Sequence, residues 1–301
     1  MIAIIIYMLI NFINYNSVKK VIKLPIIKSK ILILMNENKS SAPITHPFPG
    51  IEIGIPLNIF QYVFTRLFYN TNIINLRTFL FQFATAYFSY GFDRLIDSYE
   101  LNENFNNTLI QTNNKKYNLY KFIQNNEFFI IHTIILAFFY DIDILLSNEK
   151  TYPFIAILLS TFFYKDFKLR YSLLKPVYIG ILWTISSIII PSVLYENNYN
   201  IISHPEIYLP CFLTLFASSN LIDIKDIEED YNNSIFTIPI KFGIKNAILI
   251  SYASIILSSY LIFNNENYHN NFIVNDIYLL QNLGLFLLPF SFNNTNITLT
   301  D

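Results

Sequence analysis

Residues 176–194 read PVYIGILWTISSIIIPSVL, nineteen residues without a charge. A helix with one wet face alternates polar and apolar residues at a 3.6-residue period, and this run is too uniformly apolar for one. A bilayer-spanning helix needs about 20 mainly apolar residues. The run reads as a membrane span and argues against a soluble all-α enzyme.

Working outward, 74–92, 127–147 and 206–222 qualify equally well, and 246–263 and 276–292 follow. The stretch 152–164 is short for a span, and 51–69 is interrupted by Glu52, Pro56 and Arg66. The pattern predicts an all-α, polytopic transmembrane bundle of seven or eight spans, with membrane lipids as its surroundings. Composition agrees: 53% of the 301 residues are hydrophobic, mean hydropathy is +0.39, and 14% are charged, against about 25% in soluble domains. A net charge of −1 gives no basic field for nucleic acid, so no nucleic-acid partner is expected. Cys211 stands alone, which excludes an internal disulfide and a cysteine metal site.

The ends stand apart. Residues 1–48 carry a short apolar run followed by Lys19, Lys20, Lys23, Lys28 and Lys30. A secretory signal places its charge first, so this segment reads as a lead, an anchor or a targeting piece. Residues 49–292 form the core, and 293–301 a polar tail whose N-x-T sequons at Asn293 and Asn296 are read as accidental in so Asn-rich a chain. The Asn-rich stretch 102–118 reads as a solvated loop.

Charge is scarce, so its placement is informative. After the span 206–222 comes NLIDIKDIEED, residues 220–230. At 100° per residue Asp223, Asp226 and Asp230 fall within about 60° of one another on a helix, with Asn220 on the same face and Glu228 and Glu229 elsewhere. Mg²⁺ takes oxygen ligands, one or two carboxylates plus substrate phosphates being usual. The span 74–92 likewise ends in Asp93 and Asp97, four apart on one face. Between these two ends Lys165, Lys168, Arg170 and Lys175 cluster between spans, and Arg94 adds another cation. Carboxylates for a divalent metal and cations for phosphate oxygens are the parts of a diphosphate site. A basic loop also marks the cytoplasm-like side of a membrane protein.

These residues resemble the UbiA superfamily of intramembrane prenyltransferases, over roughly residues 52–292. The family's second motif, DxxDxxxD, stands as Asp223, Asp226 and Asp230, and the following YNNSIFTIPIKFG resembles its T-x-P-x-x-x-G continuation at Thr237, Pro239 and Gly243. Tyr164, the basic residues after it, Lys175 and the helix with Trp183 resemble the central loop and next helix. In the first motif, usually NDxxDxxxD, Ser89 and Tyr90 replace Asn and Asp, while Asp93 and Asp97 match. The resemblance implies a UbiA-type bundle, usually of nine spans. It also implies Mg²⁺-dependent transfer of a prenyl group from an isoprenyl diphosphate to an aromatic or lipid-like acceptor. Asp93, Asp97, Asp223, Asp226 and Asp230 would hold the metal, with Asn220 a further candidate. Arg94, Tyr164, Lys168, Arg170 and Lys175 would meet the diphosphate. Tyr87, Phe88 and Tyr90, which precede the first motif, could face an allylic cation, with packing the plainer role for each.

Other polar residues in the apolar stretches suggest different chemistry. His132 has no partner histidine at ligand spacing, which favours packing or a hydrogen bond. Asp141 and Asp143 could mark an ion pathway, but two residues apart they face different sides of a helix and are expected near a membrane edge. A polytopic transporter and a catalytically inactive UbiA-like binding or scaffold protein are the alternative functions.

Overall fold

A backbone in an apolar medium has no water to satisfy its amides and carbonyls, so each segment must pair them internally, which favours helices. The computed structural model describes residues 51–69, 76–105, 115–147, 149–195, 205–264 and 272–291, and among these there is no strand. The helices in chain order are α1 (Ile51–Tyr69), α2 (Leu76–Phe105), α3 (Lys115–Asn125), α4 (Glu127–Leu146), α5 (Ile155–Leu159) and α6 (Tyr164–Arg170). They continue as α7 (Lys175–Thr184), α8 (Ile190–Tyr195), α9 (Pro205–Lys225), α10 (Ile227–Asn232), α11 (Ile238–Phe242), α12 (Ile244–Phe263) and α13 (Phe272–Ser291). The lead 1–48 and the tail 293–301 lie outside the described residues.

Apart from 152–164, each of the seven stretches read as spans is, over its described residues and to within one residue, a helix or an unbroken helical run, including the marginal 51–69, which is α1. The stretch 152–164 differs. It is a 3₁₀ turn (Glu149–Phe154), the five-residue α5 and a second 3₁₀ turn (Ser160–Phe163) instead of one α-helix. Pro153 lies inside the first turn. The Thr151 hydroxyl donates to the Leu145 carbonyl and Ser160 Oγ to the Ile157 carbonyl, local bonds that compete with a regular ladder. The expected loop 102–118 is shorter than its composition suggests, because α2 runs on to Phe105 and α3 begins at Lys115.

Among the described residues three helical stretches are long and apolar enough to cross a membrane: Glu127–Leu146, Ser172–Leu194 and Ile244–Phe263. Two of them, α4 and α12, leave large apolar side chains on their outer faces. On α12 the inward residues are Ala247, Ser251, Ile255, Ser258 and Ile262, whereas Leu249, Ile256 and Tyr260 are exposed. On α4, Phe128, Leu136 and Phe139 face outward while Asp141 is wholly buried. Small residues such as Ala247, Ser251 and Ser258 on the inner face of α12 let helices approach closely, and large apolar residues on an outer face suit a covering of lipid.

The described residues belong to one compact unit, in which the long helices pack in a ring. α2 packs on α4 and α1, α1 on α13, α13 on α12, α12 on α9, and α9 on α7. Ile185–Ile189, a π-helical stretch continuing α7, closes the ring against α1 and α2 and is buried throughout. Gln82 of α2 holds it, donating to Ser187 Oγ (3.0 Å) and accepting from Ser186 Oγ (3.1 Å). Such one-turn π insertions recur at functional sites.

Two close approaches set the site's frame. Gly180 lets α7 meet α9, since a Cβ there would lie 3.1 Å from the Phe212 ring and 3.3 Å from the Phe216 backbone nitrogen. Beyond α9, Gly243 at φ 86° and ψ 157° turns the chain from α11 into α12, a conformation nearly restricted to glycine.

Candidate functional site

Lys175 opens α7, with Pro176 beside it fixing the start of the helix. Although a lysine, it is buried, and burial of an ammonium is tolerable only with anionic partners. It has two. Its Nζ lies 2.5 Å from Asp223 Oδ1 and 3.5 Å from Asp230 Oδ2. Lys168 of α6 takes the other oxygen of Asp230, with Nζ to Oδ1 at 3.4 Å. Asp223 and Asp230 are both about 1% exposed. The second motif is thus a buried charge cluster fed by two elements distant in sequence.

The single helical stripe expected for the three aspartates is corrected here. α9 ends at Lys225, Asp226 sits in a turn, and α10 starts at Ile227. Neither glycine nor proline marks the break; the capping bonds do. Asp226 N–H donates to the Asp223 carbonyl (3.3 Å), Asp230 N–H to the Asp226 carbonyl (2.8 Å), and Ile235 N–H to the Asp230 carbonyl (2.8 Å). Asp223 and Asp230 still meet on one ammonium, while Asp226 is half-buried.

Burial pushes the Asp223 carboxyl up to about 6, against the pull of Lys175 and with a further push from Asp230 and Asp226. Its Oδ2 is buried and has no hydrogen-bond partner among the described residues, and the same holds for Asn220 Oδ1 and Thr237 Oγ1. Asn220, one turn before Asp223, spends its amide on the Ala247 carbonyl (2.9 Å) and Ser251 Oγ (2.8 Å), pinning α9 to α12.

The first motif is built differently. Asp97 is about a third exposed, 3.8 Å from Arg94 Nη1. Tyr120 of α3 joins them, its hydroxyl accepting from Arg94 (3.3 Å) and donating to Asp97 Oδ2 (3.2 Å). Burial and the charge of Asp97 raise Asp93, while Arg94, Lys168 and Lys165 draw it back down. Lys168 therefore acts on both motifs, paired with Asp230 and felt by Asp93. Tyr164 is the second link: it lies within electrostatic reach of Asp93, Tyr90, Asp223 and Asp230 and stacks on Tyr178, centroids 6.0 Å apart.

The two replaced motif positions point to different neighbours. Tyr90 stacks on Trp183 with centroids 5.9 Å apart and planes 14° from parallel. Ser89 meets Thr161, oxygen to oxygen 3.1 Å. Tyr87 and Phe88 belong to the packing between helices: the Tyr87 hydroxyl meets Thr133 Oγ1 at 2.7 Å, and Phe88 sits among Phe92, Phe138 and Phe162. Arg170 lies on the exposed side of α6, and it is Lys168 that reaches Asp230.

Sequence alone gave no sign of Tyr120 as the joint of the first motif. Tyr120 and Ile123 are both buried at helical spacing within an otherwise polar segment, the signal that could have found α3. His132 is exposed, and its Nδ1–H donates to the Phe128 carbonyl at 2.6 Å, in keeping with a hydrogen-bonding role. Asp143 is exposed and Asp141 buried, on different sides as their spacing requires. Asp141 accepts from Thr85 Oγ1 at 2.9 Å between α2 and α4 and is buried in that helix pair, five residues before α4 ends at Leu146.

Two ammonium groups over two buried carboxylates, with Asp93 of the first motif in the field of Lys168, can bind a polyanion that brings its own cation. Among the described residues no three acidic, histidine or cysteine side chains gather closely enough to hold a metal by themselves. Magnesium does not require three, since substrate phosphates commonly complete its shell. The unpartnered Asp223 Oδ2 is a donor of the right hardness for that role. No protein-family model, no curated protein and no solved structure matches the chain.

Proposed function

We infer that this chain is a multi-pass membrane prenyltransferase, UbiA-like, moving a prenyl group from an isoprenyl diphosphate to an aromatic or lipid-like acceptor. The observation that carries this is the Lys175 ammonium between Asp223 and Asp230, at the end of a helix bundle whose outer face is apolar. Two charged motifs more than a hundred residues apart share the field of Lys168, which is what a split diphosphate site requires. Seven spans, the lower end of the seven to nine expected, would follow if α1, α2, α9 and α13 cross the membrane along with the three most apolar stretches.

Asp223, Asp226 and Asp230, and Asp93 and Asp97 of the first motif, would hold Mg²⁺ together with the substrate's phosphate oxygens. When bound, the metal neutralises the diphosphate and makes it a better leaving group. Lys175 and Lys168 turn their ammonium groups to phosphate oxygens and take up the charge that grows on the bridging oxygen as the C1–O bond breaks. That bond's electron pair leaves with the diphosphate, and the prenyl carbon is left as an allylic cation. Tyr90, stacked on Trp183, and Tyr164 offer ring faces beside it, and the surrounding apolar helices exclude water until the acceptor attacks. The new carbon bond forms from the acceptor's electron pair, and its proton passes to the released diphosphate.

Asp141, buried between α2 and α4, favours a second function, ion transport, because an intramembrane carboxyl commonly marks an ion path. One experiment separates the two. Membranes carrying the protein receive Mg²⁺, labelled prenyl diphosphates and a host lipid extract, with Asp226→Ala as the control. A prenylated lipid that forms with wild type and is lost with Asp226→Ala supports transfer. Product that survives the substitution removes the site, and failure to bind any prenyl diphosphate leaves transport or scaffolding.

A further inference from the structure

We propose that the donor is a short-chain diphosphate, of at most about three isoprene units, because a hydrogen-bonded polar layer closes the bundle about 15 Å beneath the charged end. This rests on the prenyl-transfer function proposed above and names the class of donor. The layer is found by depth along each helix. Asp93, Asp223 and Asp230 meet at one end of the bundle, around Tyr164. On α2, Gln82 stands eleven positions before Asp93, and on α9, Thr214 stands nine before Asp223. Ser186 stands eleven positions beyond Lys175 in the helical run that α7 opens. At 1.5 Å per residue these depths are about 13–17 Å, reached on three elements distant in sequence.

Two hydrogen-bonded groups fill this depth. Gln82 is bonded to both Ser186 and Ser187. On α9, α12 and α13, the Tyr278 hydroxyl meets Ser258 Oγ at 2.6 Å and Thr214 Oγ1 at 3.3 Å, and Ser258 donates to the Pro210 carbonyl at 2.6 Å. The Cys211 thiol of α9 bonds to Thr184 of α7 between the two groups. Phe64 of α1 sets its ring edge-on to Tyr278, centroids 5.9 Å apart. Each of these bonded side chains, and Phe64 with them, is 4% exposed or less, which leaves no opening wide enough for a chain. Along the α7 run the change is abrupt: Ile181 and Leu182 are half-buried, and every residue from Trp183 to Ser192 is buried. An apolar chain offers the layer no hydrogen bond, and passing through would strand its buried donors and acceptors. A prenyl chain lengthens by about 5 Å per isoprene unit at ordinary carbon–carbon bond lengths. Three units therefore span the whole depth, of which the diphosphate itself takes part.

The test reads binding and needs no turnover. Full-length protein in detergent with Mg²⁺ is titrated with labelled prenyl diphosphates of ten, fifteen, twenty and forty-five carbons, and excess inorganic pyrophosphate corrects for label that merely enters the detergent. The ten- and fifteen-carbon chains should bind best, and the two longer ones at least about tenfold more weakly, the scale on which an apolar pocket rejects surplus methylenes. Phe64→Ala, which thins the layer beside Tyr278, should bring the twenty-carbon chain within about threefold of the fifteen-carbon one. If wild type binds the longer chains as well as the shorter, the closed layer is overturned while the diphosphate site stands. A gap of the same size in Phe64→Ala would overturn the layer as its cause. If no chain of any length binds, the proposal and the prenyl-transfer function fall together. Should Phe64→Ala not fold, the wild-type series decides alone.

Discussion

The two aspartate ends of this bundle use the same residue type under opposite conditions. Around Asp223 and Asp230 the carboxylates are buried and gripped by lysines from distant parts of the chain. Around Asp97 the carboxylate is partly exposed, and its partners are Arg94, three residues away, and Tyr120 of the next helix. The first arrangement fixes the fold and charges a site. The second ties a partly exposed acid to its own helix through Arg94 and to the next through Tyr120. If both bind one diphosphate, the buried end is the rigid wall and the exposed end the adaptable one.

Removing the central cation should separate the ends most sharply. Lys175→Met strands two buried carboxylates, and losing one partner of a buried pair costs on the order of 3–5 kcal/mol. The loss should depend on pH. Burial already raises Asp223 to about 6, so its folded state favours the protonated form, an advantage present below the ordinary carboxylate range and lost as pH rises through about 6. Thermal melts of the variant should therefore fall far below wild type at pH 7.5 and much less so at pH 5.5. An equal deficit at both values would mean that Asp223 is not the charge Lys175 neutralises.

On activity, Asp223→Asn should lower diphosphate release about 100-fold, whereas Asp97→Asn should stay within roughly tenfold, if preorganised charge at the buried end supplies most of the leaving-group stabilisation. The assay is labelled diphosphate release in membranes at saturating Mg²⁺. Equal losses would merge the two ends into one symmetric site. Next in size is Gly243→Ala, since only glycine suits φ 86° with ψ 157°; strain of about 1–3 kcal/mol is expected. A Cβ there meets nothing within 4 Å, so the effect should be conformational and appear in a melt of the pure protein.

The comparison also shows where sequence is readable. Span-length apolar runs such as 176–194 report directly on an apolar surrounding, and each such stretch is helical over its described residues. The acids of both motifs stood out because charge is so rare in the chain. What could not be read is pairing at a distance. Nothing local in residues 220–230 says that Lys175, 48 positions earlier, will lie between Asp223 and Asp230. The turn at Asp226 was hidden for a related reason: helical periodicity carries through a break that leaves the spacing of its acids intact and has no glycine or proline to mark it. Asp141 shows the limit on burial, because the sequence near the end of an apolar run does not say which neighbour an acid will face, and its partner Thr85 lies 56 residues away.

The smallest effect tests the weaker end directly. Tyr120→Phe keeps the buried ring and removes only the hydroxyl that accepts from Arg94 and donates to Asp97. A hydrogen bond of this kind contributes about 1 kcal/mol net, so stability should drop by no more than that. Release of Asp97 from its tether should instead change metal use: the Mg²⁺ concentration giving half-maximal diphosphate release should shift several-fold, with the maximal rate little altered. Should the maximal rate collapse while the Mg²⁺ requirement stays fixed, Tyr120 would be acting on the reacting bond, and the exposed end would be as deeply engaged in the chemistry as the buried one.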